Sequence, residues 1–209
     1  DIILGFGMAT VGWLVAGLHL HVFDRWFLSK GQIRNHLRKE TTGHVAAFSG
    51  HMVDTADRPT PRFPQSRVER VRSLIAERLR DLDICHGYSS AARGADLLFV
   101  EELLKLGGTV SIVLPFESKL FAKTSVGHGW DDRFFKVLSD PKVTVVELSE
   151  RMPKPGEEAA AYQRCNQLIQ EKAIQNANLL GQTPVLISVW DGLKGDAPGG
   201  TAEFIEKWQ

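Results

Sequence analysis

Residues 84–96, ICHGYSSAARGAD, divide into a short buried strand (Ile84-Cys85-His86), a small-residue turn (Gly87-Tyr88-Ser89-Ser90) and a helix start carrying Arg93, Gly94 and Asp96. A strand, a turn and a helix in that order aim backbone N–H groups and a helix N-terminus at one place, where α/β proteins usually hold phosphate. Gly87, Ser89 and Ser90 are small enough for close backbone approach, and Arg93 offers a planar, permanently charged fork. An ordinary strand-to-helix connection has the same composition, so this stretch alone leaves both readings open.

The surrounding chain repeats the strand–helix alternation. Residues 45–49, VAAFS, form the first strand, and Gly50 ends it. Residues 54–64 hold Pro59, Pro61 and Pro64 and form a loop. Over residues 65–82, Val68, Val71, Leu74, Ile75, Leu79 and Leu82 recur at helical spacing, with arginines and glutamates on the opposite, solvated face. A helix over 96–106 ends at Gly107-Gly108, and TVSIVL at 109–114 is the next strand. Residues 119–129 read as irregular, 130–138 as a short helix, 142–148 as a strand, 157–178 as a long helix and 184–190 as the last strand. A Gly-rich loop over 191–200 leads into a final helix over 201–208. Alternating strands and helices predict an α/β fold, a parallel sheet of about five strands with helices on both faces. Ligands of such sheets sit at the carboxyl ends of the strands. That rule places Ser49-Gly50-His51, residues 87–90, Pro115-Phe116-Glu117, the segment after Leu148, and Trp190-Asp191 with the following loop on one rim.

The loop after the last strand holds a second phosphate-competent turn. Gly199-Gly200-Thr201 opens a helix, where backbone N–H groups and the Thr201 hydroxyl can cradle a phosphate, although Thr201 is equally competent as a plain N-cap. Two such turns on one rim suit a dinucleotide or another nucleotide derivative. Arg164 and Asn166 lie near the start of the long helix but two residues apart, so they do not share a face in mid-helix. Glu203, in the first turn of the last helix, suits the helix dipole.

Bulk properties limit the function classes. The 209 residues carry 25 Lys+Arg against 25 Asp+Glu, so the chain lacks the global basic field of a dedicated nucleic-acid binder. Cys85 and Cys165 lie far apart in apolar patterns and read as buried thiols of a reducing, cytoplasmic compartment. The seven histidines show no metal-ligand spacing, and no metal site is expected. Residues 2–23 contain no Asp, Glu, Lys or Arg. That length suits a membrane helix, while four glycines and two histidines favour a buried or interface helix. Residues 1–43 therefore form an apolar helix plus a charged connector, and residues 44–209 the α/β domain. The chain starts at Asp1 rather than Met, which suggests a piece of a longer protein.

Taken together, Ser49-Gly50, then Gly87-Tyr88-Ser89-Ser90-Ala91-Ala92-Arg93-Gly94-Ala95-Asp96, Val113-Leu114-Pro115-Phe116, Tyr162-x-Arg164-x-Asn166, and Val189-Trp190-Asp191-Gly192 followed by Pro198-Gly199-Gly200-Thr201-Ala202 resemble the SLOG superfamily, which holds DprA-like, LOG (cytokinin-activating phosphoribohydrolase) and related sensor domains. The resemblance covers about residues 44–208. It implies a Rossmann-like domain binding a nucleotide or nucleotide-derived ligand, with no further cofactor required. Ser49, Gly50, His51, Gly87, Tyr88, Ser89, Ser90, Arg93, Gly94, Asp96, Pro115, Phe116, Glu117, Arg164, Asn166, Trp190, Asp191, Gly199, Gly200 and Thr201 are the candidate ligand-binding residues.

The expected function is a sensor for a nucleotide second messenger or an NAD/ADP-ribose-like molecule in a signalling or stress-response protein, acting through an attached effector domain or as a homo-oligomer. The alternative is a LOG-like nucleoside-monophosphate phosphoribohydrolase in which Glu203 would stabilise the developing oxocarbenium or position water. LOG enzymes carry a longer Pro-Gly-Gly-x-Gly-Thr pattern with further acidic residues. Here one Gly is missing, which favours holding a nucleotide over cleaving it. A DNA-associated role, by analogy with DprA-like proteins, runs against the zero net charge. Membrane association would run through residues 2–23.

Overall fold

The structure is a computed structural model that describes residues 43–194 and 198–208. The apolar stretch at 2–23 and the charged connector after it lie outside the described residues. Five strands form one parallel sheet: β1 (His44–Gly50), β2 (Ile84–Ser89), β3 (Thr109–Leu114), β4 (Val143–Glu147) and β5 (Val185–Val189). Their spatial order is β4-β3-β2-β1-β5. The architecture is Rossmann-like: the chain steps outward from β1 to β4, then returns to lay β5 on the free side of β1.

The alternation of side chains along the strands explains the layers. Ala46 and Phe48 face one side, where Phe48 stacks on Phe99 with ring centroids 4.4 Å apart. Phe99 belongs to α2 (Ala95–Lys105), which packs beside α1 (Val68–Asp81). Glu101 of α2 receives hydrogen bonds from Arg72 of α1 at 2.9 Å and from both Arg133 Nε and Nη2 at 2.7 Å. Arg133 lies in α4 (Asp131–Leu138), so one carboxylate ties three helices of this layer together. The period of two puts Val45 and Ala47, both fully buried, on the opposite side. That side is covered by α5 (Glu158–Leu179), whose Cys165, Ile169, Ala173 and Ala177 are buried at helical spacing. The described part closes with the short helix α6 (Thr201–Glu206).

Two segments differ from the sequence expectation. Gly87, Tyr88 and Ser89 continue β2 instead of forming a turn. A Cβ on Gly87 would stand 2.6 Å from Phe99 Cζ and 2.7 Å from Leu103 Cδ2. The glycine thus lets α2 press on the sheet rather than letting a ligand approach. α2 accordingly starts at Ala95, after Ala91 in the left-handed region (φ 60°) and Gly94 at φ 98°. Residues 119–129, read as irregular, include helix α3 (Ser118–Phe121) and a π-helical turn (Ala122–Val126), held inward by the buried Phe121, Ala122 and Val126.

Candidate ligand-binding site

Where β1 lies between β2 and β5, the connections leaving its carboxyl end and that of β5 run in opposite directions. A crevice opens at such a switch in strand order, and it is the usual ligand position of open α/β sheets. Here it holds a cavity of about 330 Å³, at the small end of the range of about 300–1,000 Å³ typical of small-molecule sites.

The floor is Ser49 and Gly50 at the end of β1, with Ser90, Ala92 and Asp96 from the β2–α2 connection. One wall is Tyr162, Cys165 and Asn166 from α5, with Phe121 and Ser125. Pro198, Gly199, Gly200 and Thr201 close a second side, and His51, Met52, Asp54, Arg58 and Arg62 come from the loop after β1. The two turns singled out in the sequence thus meet at one cavity, through Ser90 and Asp96 on one side and Gly199–Thr201 on the other; Ser49 Oγ and Thr201 Oγ1 are 3.5 Å apart.

Asp96 is the buried ionisable group of the floor, 6% exposed. Its Oδ1 accepts the Gly50 N–H at 2.8 Å, its Oδ2 accepts the Ser90 hydroxyl at 2.7 Å, and the Ala92 N–H also donates to it. Burial pushes its pKa up to about 6, against those hydrogen bonds, which favour the carboxylate. Donors that a phosphate turn would offer are therefore spent on the protein's own carboxylate, which already places an acidic group at the N-terminus of α2.

Arg93 stays out of the cavity. Its guanidinium donates to the carbonyls of Val53 and Val126, both at 3.2 Å, and the Arg93 backbone N–H to Ser125 O at 2.9 Å. Gly94 is there for close approach of backbone: a Cβ would stand 2.5 Å from the Val53 nitrogen. Tyr88 and Ser89 are buried in β2, Tyr88 hydrogen-bonded to Asn176 and Ser111. Pro115, Phe116 and Glu117 follow β3 without lining the cavity; Phe116 is buried against the Tyr162 ring, 6.0 Å away. Trp190 is 41% exposed and donates from Nε1 to Leu193 O at 2.7 Å.

The Gly199-Gly200 turn is pinned from two helices. Asn166 Nδ2 donates to Gly199 O at 2.7 Å, and the Gly199 N–H donates to Glu203 Oε2 at 2.6 Å. Glu203 also accepts from Gln163 Nε2 at 2.8 Å and pairs with Lys207. The Gly199 N–H and then the Lys207 ammonium hold its carboxyl below the usual range. Glu203 lines a separate groove with Gln163, Arg164, Phe204 and Lys207, not the cavity. Arg164 lines this groove and not the cavity, whereas Asn166 lies between the two and lines both.

Arg62 meets Asp191 in a fork, Nε to Oδ2 at 2.6 Å and Nη2 to Oδ1 at 2.7 Å. The guanidinium drives the Asp191 carboxyl far below the usual carboxylate range. His51 Nε2 lies 3.1 Å from Asp191 Oδ1. Asp54 Oδ2 accepts the backbone N–H groups of Arg62 and Phe63, each at 2.9 Å, folding the proline-rich loop back over the sheet end. Asp54, Arg58, Arg62, Tyr162 and Ser125 were not among the candidate ligand residues. A signal for the first three was available: residues 51–64 form a connection near the length at which loops in compact domains are usually functional.

Among the described residues, no cluster of three or more His, Cys, Asp or Glu is arranged to hold a metal ion, and no helix is long and apolar enough to cross a membrane. Compared with protein-family models and with curated proteins, the sequence matches none.

Proposed function

We propose that the domain is a ligand-binding sensor whose cleft takes a nucleotide or nucleotide-derived molecule of the ADP-ribose kind. The observation that carries this reading is the division of one cavity into two chemical ends. Asp96, Ser90 and Asn166 offer acceptors and small polar groups at the sheet end, suited to sugar hydroxyls. Arg58 and Arg62 bring guanidinium groups from the loop above, paired with Asp54 and Asp191, for which a phosphate would compete. A molecule with hydroxyls at one end and an anion at the other matches both. The motif resemblance to SLOG domains supports the same reading, and with it a role in a signalling or stress-response protein through an attached effector or a second copy. The free thiols of Cys85 and Cys165 suit a cytoplasmic location. Calorimetry of the 209-residue protein against AMP, ADP, NAD and ADP-ribose, with adenosine as the uncharged control, tests the proposal. Binding by phosphorylated compounds and not by adenosine is expected; a folded protein that binds none of them overturns it.

Hydrolysis of an N-glycosidic bond is the second reading, and Asp96 favours it. A buried carboxyl with a pKa of about 6 that lines a cleft is suited to general acid or base work. Glu203 turns its carboxylate into the Gly199 turn, so in this reading the proton-handling role passes to Asp96. Chromatographic detection of adenine from AMP, abolished by Asp96→Asn, is the expected result; no base release from the wild-type protein refutes hydrolysis and leaves binding standing.

A further inference from the structure

Arg62 lines the cavity, yet it donates to Asp191 and to Leu193 O, neither of which lines it. Asp191 stands just past β5 and takes the Nε/Nη2 edge of the guanidinium with both oxygens. That edge is the one that recognises carboxylates and phosphates alike, by two parallel N–H···O bonds. We propose that Asp191 is an internal competitor for the ligand's anionic group: its carboxylate holds the Arg62 fork, and a phosphoryl group binds by taking that fork over.

The surroundings favour such an exchange. Asp191 keeps local partners when Arg62 leaves, because Oδ1 also accepts the Leu193 N–H at 3.0 Å and lies beside His51 Nε2. The loop backbone need not move, because Asp54, itself 8% exposed at the side chain, anchors the N–H groups of Arg62 and Phe63. The Arg62 side chain has to swing, and it gives up its Nη2 bond to Leu193 O at 3.2 Å as well. Arg62 is nearly buried, at 9% side-chain exposure, and solvent reaches the pair mainly from the Asp191 side, at 22%. Selectivity follows from charge. A carboxylate ligand offers Arg62 no more than Asp191 already does, whereas a doubly charged phosphoryl or pyrophosphoryl group offers more. Asp191 would therefore set a threshold that passes phosphoryl groups and rejects simple carboxylic acids.

The inference rests on the nucleotide reading of the cleft, and inorganic pyrophosphate separates the two. It is titrated by calorimetry into the 209-residue wild-type protein, Asp191→Asn, and the Arg62→Gln/Asp191→Asn double variant, each first shown to be folded by its thermal transition. Asp191→Asn is expected to bind pyrophosphate about tenfold tighter, the size of one competing charged hydrogen-bonded pair, and the double variant to lose the gain. Unchanged or weaker binding by Asp191→Asn overturns the exchange, as does a gain that persists without Arg62 or pyrophosphate binding to neither protein. A second measurement uses the wild-type protein alone. Saturating pyrophosphate should shift the Arg62 Nε–H resonance and leave the Phe63 amide in place; an unmoved Arg62 signal overturns the exchange. Nucleotide binding without the Asp191→Asn gain removes the exchange and leaves the sensor reading intact, whereas a protein that binds no nucleotide ends both.

Discussion

Asp96 sits in the cleft floor at a pKa of about 6, raised by burial, and this sets a pH dependence of stability with an unusual sign for a carboxylate. Its folded pKa lies above the ordinary aspartate value of about 3.9, so the folded state binds the proton more tightly than the unfolded chain between those values. The stability it contributes is complete below the unfolded value and is lost as pH rises through about 6. Over the whole window that loss amounts to about 3 kcal/mol, of which about 2 kcal/mol falls between about pH 4 and about pH 7. Arg62-bound Asp191 and Glu203 act in the opposite direction, since their folded pKa values are depressed and they withdraw stability only as pH falls below the usual carboxylate range. Asp96→Asn isolates the effect, because an amide does not titrate. Urea unfolding of wild type and Asp96→Asn in parallel at several pH values gives the difference directly. The wild-type protein should gain on the variant by about 2 kcal/mol as pH falls from about 7 to about 4. A difference that is flat with pH, or that grows toward neutral pH, would refute the placement of a buried, hydrogen-bonded carboxyl beneath the cleft.

Gly87→Ala should lower stability by about 1–3 kcal/mol through overpacking against Phe99 and Leu103, read from the urea midpoint, and leave nucleotide affinity unchanged in the folded fraction. Lost affinity with unchanged stability would return Gly87 to the binding surface. Gly199→Ala should impair both, because φ is 81° there and a Cβ would lie 2.8 Å from Tyr162 Cβ; the left-handed backbone alone costs about 1–2 kcal/mol, and calorimetry should show weakened nucleotide binding. Glu203→Gln should cost about 1 kcal/mol by weakening the acceptor for the Gly199 N–H. In a base-release assay it should behave like wild type, and a loss of turnover without loss of folding would give Glu203 a chemical role.

The fold was legible because parallel strands buried on both faces announce themselves as apolar runs bounded by turn residues. TVSIVL at β3 is such a run, and the strand covers all of it. β2 was legible only at its start. Gly87 and Ser89 look like turn residues locally, and what keeps them extended is pairing with strands distant in sequence, Gly87 with Ala46 and Val110 and Ser89 with Ile112. The strand-end rule pointed to Ser49, Gly50, His51, Ser90 and the Gly199 turn, and the motif resemblance to Asp96 and Asn166; all of them line the same cavity. It had no means of finding Arg58 and Arg62, whose loop is folded back by Asp54 binding two N–H groups eight and nine residues on, a contact without periodicity. Arg93 shows the converse limit. A charged fork in a turn looks like a ligand contact, yet its donors go to carbonyls of two neighbouring loops.

The strand order also has a consequence for how the protein comes into being. β1 is the first described strand to leave the ribosome, but its neighbour β5 follows about 140 residues later, with Ala46 paired to Val185 and Gly50 to Val189. At about 5–20 residues per second, translation leaves that side of β1 without its partner for on the order of ten seconds. An open strand edge over that interval is a template for wrong pairing, and it is the period in which the nascent chain most needs shielding. The cleft is built on the same seam, so a nascent or truncated chain ending before β5 lacks the turn at residues 198–201 that closes one side of it. Occupancy by a ligand would therefore report that β5 and this turn have joined the sheet.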